Sequence, residues 1–280
     1  SCCLNNFSLS LLSHPKINMP YYHRWSTGEG YLWPALFVTI ACGAVSGFHS
    51  LIASGTSSKQ IANERHVKRI GYGGMVAEGL VAVLAIIATA ILFNAREDLG
   101  SVLKIISPIE IFGRGYGLIT HGILGGYGQF IAITILNAFI LTTLDTATRI
   151  SRYLTEELFG IKNRYLSTAL IVIVSAALAF SGKWNKIWPV FGASNQLVAA
   201  LALFVLSCWL LSKNKTIKFT LIPAFFMLIT TVFALVFQGI RYFINNDIVL
   251  LAVDACLILL AGFMVWDVVQ VIFIRRIRYA

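Results

Sequence analysis

The chain has 280 residues, of which 58% are hydrophobic and only 12% are charged. Soluble domains carry about 25% charged residues, so this balance excludes an ordinary soluble protein and predicts one that lies in a membrane. The formal net charge of +10 would suggest nucleic-acid binding in a soluble protein. Here the basic residues lie in short loops between apolar stretches, so no nucleic-acid partner is expected.

Residues 1–33 are mostly polar, contain no membrane span and are predicted to face outward. No cleavable signal peptide is evident. The cysteines show no metal-ligand spacing, so neither a metal site nor a cofactor is expected. The five cysteines are Cys2, Cys3, Cys42, Cys208 and Cys256.

Seven apolar segments follow, and each is long enough or nearly long enough to cross a bilayer as a helix. They cover residues 34–54, 71–93, 128–148, 166–181, 187–211, 219–237 and 248–274. The predicted fold is therefore an all-α, polytopic transmembrane helix bundle with about seven spans.

The first of these segments carries a small, polar stripe that lipid would not favour. Four residues at helical spacing form it: Cys42, Ser46, His49 and Ala53. Gly43 and Gly47 would allow a neighbouring backbone to approach closely. Ser54, Gly55 and Thr56 then loosen the helix near its end. The segment is predicted to line a passage, although His49 could instead be a hydrogen-bonded packing residue.

Loop charges predict the orientation, because Lys and Arg are enriched on the cytoplasmic side. Basic loops follow the first, third, fifth and seventh spans, which places the start of the chain outside and its C-terminus in the cytoplasm. The loop at residues 94–127, which follows the second span, is mixed in charge and ends in a Gly-rich stretch. It is read either as a lid or connector, or as a re-entrant or interfacial piece.

Ionisable residues inside apolar spans are functional candidates by default, because they are costly at membrane depth. Glu78 shares a helix face with Gly71 and Gly74, so it should point toward a close-packed helix or a cavity. It could carry a coupling proton or make an interhelical hydrogen bond or ion pair. Asp145 lies on a polar face with Asn137, and it could belong to an ion path or pair with Arg149 four residues later.

The stretch from Trp188 to Gln196 predicts a broken helix. Pro189 removes a backbone hydrogen bond and Gly192 loosens the turn. Three polar residues follow and could supply neutral ligands or interhelical hydrogen bonds: Ser194, Asn195 and Gln196. In the last span, Asp267 is interpreted as an interfacial charge. Asp254 is less readily explained in that way.

Three stretches resemble the carbon starvation protein A family of membrane transporters, in the same order. They are ACGAVSGFHSLIASGTSSKQIANE, LNAFILTTLDTATRISRYL and WNKIWPVFGASNQLVAALAL. The resemblance implies peptide or pyruvate uptake during nutrient starvation. It also implies a fold similar to the broken-helix, inverted-repeat secondary transporters. Because members of that family are longer, the chain is expected to be a later portion of such a transporter or a shortened relative.

On that reading residues 34–127 end the family's core region, and residues 128–280 form a C-terminal five-span region. The expected function is secondary active transport in the cell inner membrane, with a coupling proton or possibly Na⁺. Lipid and the solute would be the partners. One alternative is a split transporter that works only beside an N-terminal half. The other, a membrane-embedded enzyme, is not favoured because no catalytic motif is evident.

Overall fold

The computed structural model describes residues 17, 19–20, 22, 25–27, 30–40, 46–93, 106–161, 163–182 and 184–278. Two short antiparallel strands, β1 (Ser26–Thr27) and β2 (Gly30–Tyr31), precede a π-helical turn at Leu32–Leu36. The principal helices are α1 (Phe37–Ile40), α2 (Gly47–Ile52), α3 (Val67–Leu92), α4 (Pro108–Leu124), α5 (Gly128–Phe159), α6 (Arg164–Phe180), α7 (Trp184–Ser212), α8 (Lys218–Ile244) and α9 (Ile248–Arg278).

Five helical stretches of the described chain are long and apolar enough to cross a membrane, which confirms the predicted all-α, polytopic bundle. They are Glu64–Leu92, Pro108–Phe159, Lys186–Ser212, Lys218–Ile244 and Ile248–Val268. The apolar α6 has 17 residues and rises about 26 Å, slightly less than a typical hydrocarbon core.

The first predicted span is not one continuous helix. Helix α1 ends at Ile40, and Ser46 has an extended backbone (φ −123°, ψ 124°) before α2 begins at Gly47. Cys42 and Gly43 lie outside the described residues, as do Cys2, Cys3 and most of residues 1–33. The helix widens into a π turn at Ala53–Ser57 and ends with a short helical turn at Ser58–Gln60.

The break predicted between Trp188 and Gln196 is wrong, because α7 is continuous through Pro189. This proline lies in the second turn of α7, where it removes only a hydrogen bond to the first turn. Side chains from α8 donate hydrogen bonds to two backbone carbonyl groups in the same turns of α7. Gln238 donates to the Pro189 carbonyl at 3.3 Å, and the Tyr242 hydroxyl donates to that of Lys186 at 3.4 Å.

The predicted loop at residues 94–127 contains a helix, α4. Ser107 caps its start by accepting from the Glu110 backbone N–H, and Pro108 occupies the first turn. Helix α4 buries Ile111, Gly113 and Gly115. Residues 94–105 of the predicted loop lie outside the described part of the chain.

Contacts divide the chain into two compact units. The first contains Lys68–Ser151, and within it α4 packs closely on both of its neighbours through glycines. A Cβ on Gly115 would lie 2.6 Å from the carbonyl carbon of Ala88 on α3, and one on Gly113 would lie 2.6 Å from Ile133 Cγ1 on α5. Only glycine permits these approaches.

The second unit contains Arg24–Val67 and Arg152–Ala280, and its core joins α7, α8 and α9. The largest buried cluster consists of Leu197, Ala199, Ala200, Phe204, Ala224, Met227, Leu228, Ala261, Met264 and Val268. Asn214 and Asn246 form the turns between these helices with positive φ angles of 55° and 56°. The following N–H groups donate back to the carbonyls of Leu210 and Tyr242, which closes each helix end.

Candidate functional site

The first segment lies along α8 in the second unit, and aromatic side chains hold it there. Three ring pairs with centroid separations of 5.5–5.7 Å join the two: Tyr31–Phe237, Trp33–Phe233 and Phe37–Phe226. In these three pairs the residue numbers rise along the first segment and fall along α8, so the two run antiparallel. Trp33 also donates its indole N–H to the Thr230 hydroxyl at 3.3 Å.

Gly47 is where the restarted segment meets α7. It is buried, and a Cβ there would lie 2.6 Å from Val198 Cβ and 2.8 Å from the Ala199 backbone nitrogen. The close backbone approach that the sequence predicts at Gly47 is therefore present, with α7 as the neighbour. Gly192 makes a similar contact, because a Cβ there would lie 3.1 Å from the Val38 carbonyl oxygen of α1.

Asn195 of α7 binds the segment where the helix restarts. Its side-chain oxygen accepts from the Phe48 backbone N–H at 2.8 Å and from the Ser46 hydroxyl at 3.3 Å. The first N–H groups of any helix lack a partner within that helix. Asn195 is only 7% exposed and satisfies one of them.

Gln196, the next residue, binds the first half of the broken segment. Its amide N–H donates to the Phe37 carbonyl at 3.3 Å, and its side-chain oxygen accepts from the Thr231 hydroxyl of α8 at 3.3 Å. Gln196 is 1% exposed. Asn195 and Gln196, here called the amide pair, thus offer an acceptor to one side of the break and a donor to the other.

The remaining predicted residues of this unit lie on or beside the broken segment. Ser194 is half-buried, and its hydroxyl donates to the Phe191 carbonyl within α7. Ser54 and Thr56 donate to carbonyls of their own helical turn, and a Cβ on Gly55 would meet no atom within 4 Å. His49 is exposed on the surface of this chain.

Glu78, Asn137 and Asp145 belong to the first unit. Glu78 is half-buried, but no described atom lies within 4 Å of a Cβ built on Gly71 or Gly74. No described atom therefore packs against these two glycines, and the orientation of the Glu78 carboxyl group toward a helix or a cavity stays a prediction. Asn137 is exposed.

The predicted pairing of Asp145 with Arg149 is confirmed, with an N–O separation of 2.9 Å. Both side chains are more than half exposed, so the pair contributes little to stability.

Four buried polar residues of α8 and α9 are not among the predicted site residues, and their shared signal is a hydrogen-bonding group inside an apolar span. They are Thr230, Thr231, Gln238 and Asp254. Threonine and glutamine are common enough in spans that sequence alone did not separate these from packing residues. Among the described side chains, no three His, Cys, Asp or Glu residues are grouped closely enough to hold a metal ion.

Comparisons with known proteins agree on one family. The family model described as carbon starvation protein CstA matches residues 6–101 and 101–234. The peptide transporter CstA of Campylobacter jejuni is 32% identical over 306 residues, with 85% of this chain and 43% of the relative covered. The peptide transporter CstA of Escherichia coli is 30% identical over 299 residues, with 80% and 42% covered.

The pyruvate/proton symporter BtsT of Escherichia coli is 28% identical over 323 residues, with 83% of this chain and 45% of the relative covered. The chain thus spans less than half the length of these relatives. No solved structure matches it. The family match covers well over half of the chain, and the chain belongs to the carbon starvation protein CstA family.

Proposed function

We propose that this chain works as part of a secondary active transporter that takes up small peptides or pyruvate across the cytoplasmic membrane. Peptide transport and pyruvate/proton symport are the activities in the names of its relatives. Uptake would serve the cell during nutrient starvation. The spans that the longer relatives contain are also required, either in the same polypeptide or from an N-terminal partner.

The observation that supports the proposal most strongly is the broken first segment. Non-helical backbone at membrane depth is tolerated only where protein buries it or where it lines a water-filled cavity. Secondary transporters use such discontinuous helices to build solute sites near the middle of the membrane. Here the amide pair supports the backbone on both sides of the break. The solute path is proposed to follow this segment and the facing turn of α7.

The transporter is proposed to be coupled to a proton gradient. Three groups predicted from sequence are candidates to carry or relay the proton: Glu78, His49 and Asp145. The name of the symporter relative supports proton coupling. The basic loops support a cytoplasmic C-terminus and an outer start for the chain.

Uptake into proteoliposomes that contain the purified full-length protein tests this function. Labelled pyruvate and a labelled dipeptide are each supplied with and without an inward proton gradient. We expect at least one solute to accumulate above protein-free liposomes, and the proton gradient to raise the accumulation. No accumulation of either solute under both conditions contradicts the proposal.

A further inference from the structure

The hairpin of α8 and α9 encloses a carboxyl group that the site described above does not use. Asp254 lies in the second turn of α9, about 9 Å from the start of the helix. Its Oδ2 atom lies 2.7 Å from the position that a Cβ on Gly239 would occupy. The absence of a side chain at residue 239 therefore makes room for the carboxyl group between the two helices.

Asp254 is 1% exposed, and neither of its carboxyl oxygens has a hydrogen-bond partner in the described structure. Gln238, the residue before Gly239, is 8% exposed. Its amide N–H donates to the Pro189 carbonyl, but its side-chain oxygen is also without a partner. Three buried oxygen atoms of this hairpin therefore lack donors.

Among the described residues, none supplies a compensating charge to Asp254. The neighbouring cluster is apolar and includes Ala234 and Leu235 of α8, with Leu257 and Ile258 of α9 packed against it. An unpaired carboxylate among such residues is strongly disfavoured, because neither water nor a cation stabilises it. What the site lacks is a positively charged partner or a proton.

Five other titratable groups lie on the elements packed around this hairpin, and none makes a hydrogen bond to Asp254. Lys186 of α7 pairs with Asp247 in the turn at 3.3 Å, and the Tyr242 hydroxyl donates to the Lys186 carbonyl. Arg241 is exposed. On the strand before α1, Tyr31 packs its ring on Phe237 of α8.

We propose that Asp254, together with the side-chain oxygen of Gln238, forms the site that binds the transporter's coupling cation. All the unpartnered atoms are acceptors, so the ligand is a proton or a monovalent metal ion such as Na⁺. A proton needs the fewest additional ligands. The inference rests on the proposed transport function. It adds to the three relay candidates named above a cation-binding site beyond position 234, where the family match ends.

The test compares wild-type full-length protein with the near-isosteric variant Asp254→Asn in proteoliposomes. One arm imposes only a proton gradient, a second imposes only a Na⁺ gradient, and a third measures exchange of labelled for unlabelled solute with no gradient. We expect gradient-driven accumulation by Asp254→Asn to be at least tenfold lower than that of the wild type, while solute exchange is retained. The arm that drives the wild type identifies the cation. Asp247→Asn, which removes a surface ion pair, is the matched control and should accumulate solute normally.

Accumulation by Asp254→Asn equal to that of the wild type would overturn the assignment, and so would loss of exchange together with accumulation. Failure of the wild type in all three arms would instead contradict transport itself. Gln238→Leu keeps the Asp254 carboxyl group and is the second test variant if Asp254→Asn does not fold. It should raise the cation concentration for half-maximal uptake severalfold, and an unchanged concentration would argue against the site.

Discussion

At the residue scale, two adjacent amide side chains make opposite hydrogen bonds at the break, one as an acceptor and one as a donor. The Asn195 oxygen accepts from a backbone N–H of α2, whereas the Gln196 amide group donates to a backbone carbonyl of α1. Asn195 and Gln196 were predicted from sequence because amide side chains in an apolar span need partners. Their partners were not predictable, since the location of the break depends on tertiary contacts that no local pattern records.

Replacing Asn195 with Ala should destabilise the protein. The change leaves the buried Phe48 N–H without an acceptor, which costs about 1–3 kcal/mol. A lower melting temperature of the purified full-length protein in detergent would show the loss. Ser194→Ala is the matched control and should change the melting temperature much less, because the Ser194 hydroxyl bonds only within its own helix. Equal shifts for the two variants would refute the role of Asn195.

A second substitution tests the close approach at Gly47. Gly47→Ala places a methyl group against the backbone of α7, and overpacking of this kind costs about 1–3 kcal/mol. Gly55→Ala enters open space and should be neutral or stabilising by up to about 1 kcal/mol, because Ala is the better helix former. Thermal unfolding of both variants measures the difference. If Gly47→Ala is as stable as Gly55→Ala, α2 does not pack on α7 as described.

At the element scale, hydropathy located the long helices but misplaced the irregular ones. Helices α7, α8 and α9 coincide with predicted spans because each carries a long apolar run. The break was expected at Pro189, where sequence shows a strong helix breaker. Helix α7 is unbroken because a proline is tolerated near a helix start and because α8 provides donors for the carbonyls beside it. The break occurs in the first segment instead.

The seating of α1 on α7 can be tested by cross-linking. A Cβ on Gly192 would lie 3.6 Å from the Thr39 Cα, so cysteines at these two positions are within disulfide reach. In a full-length protein without its native cysteines, Thr39→Cys with Gly192→Cys should form a disulfide on mild oxidation, detected as a mobility shift that a reductant reverses. The control pair Gly55→Cys with Gly192→Cys should not. Equal cross-linking of both pairs would contradict this packing.

At the scale of the whole molecule, the loop charges predict the orientation across the membrane. The turn at Asn214 follows α7 and is flanked by Lys213 and Lys215, whereas the turn at Asn246 contains Asp247. Because Lys and Arg are enriched in cytoplasmic loops, the first turn should lie inside and the second outside.

Thiol labelling of intact cells checks this orientation. In a cysteine-free background, Asn246→Cys should react with a membrane-impermeant thiol reagent, while Asn214→Cys should react only after the membrane is opened. Both positions lie in short exposed turns, where Cys in place of Asn costs about 1–2 kcal/mol at a positive φ angle but displaces no packed side chain. The reverse pattern would invert the proposed topology.

Labelling of the first segment tests the central claim, that its break lines a hydrated solute path. His49 is exposed on this chain, so His49→Cys in cysteine-free, full-length protein offers a reporter close to the break. We expect a membrane-impermeant thiol reagent to modify it, and transported pyruvate or dipeptide to slow this modification without slowing that of Asn246→Cys. Modification of His49→Cys only by membrane-permeant reagents, at a rate that neither solute changes, would contradict the claim.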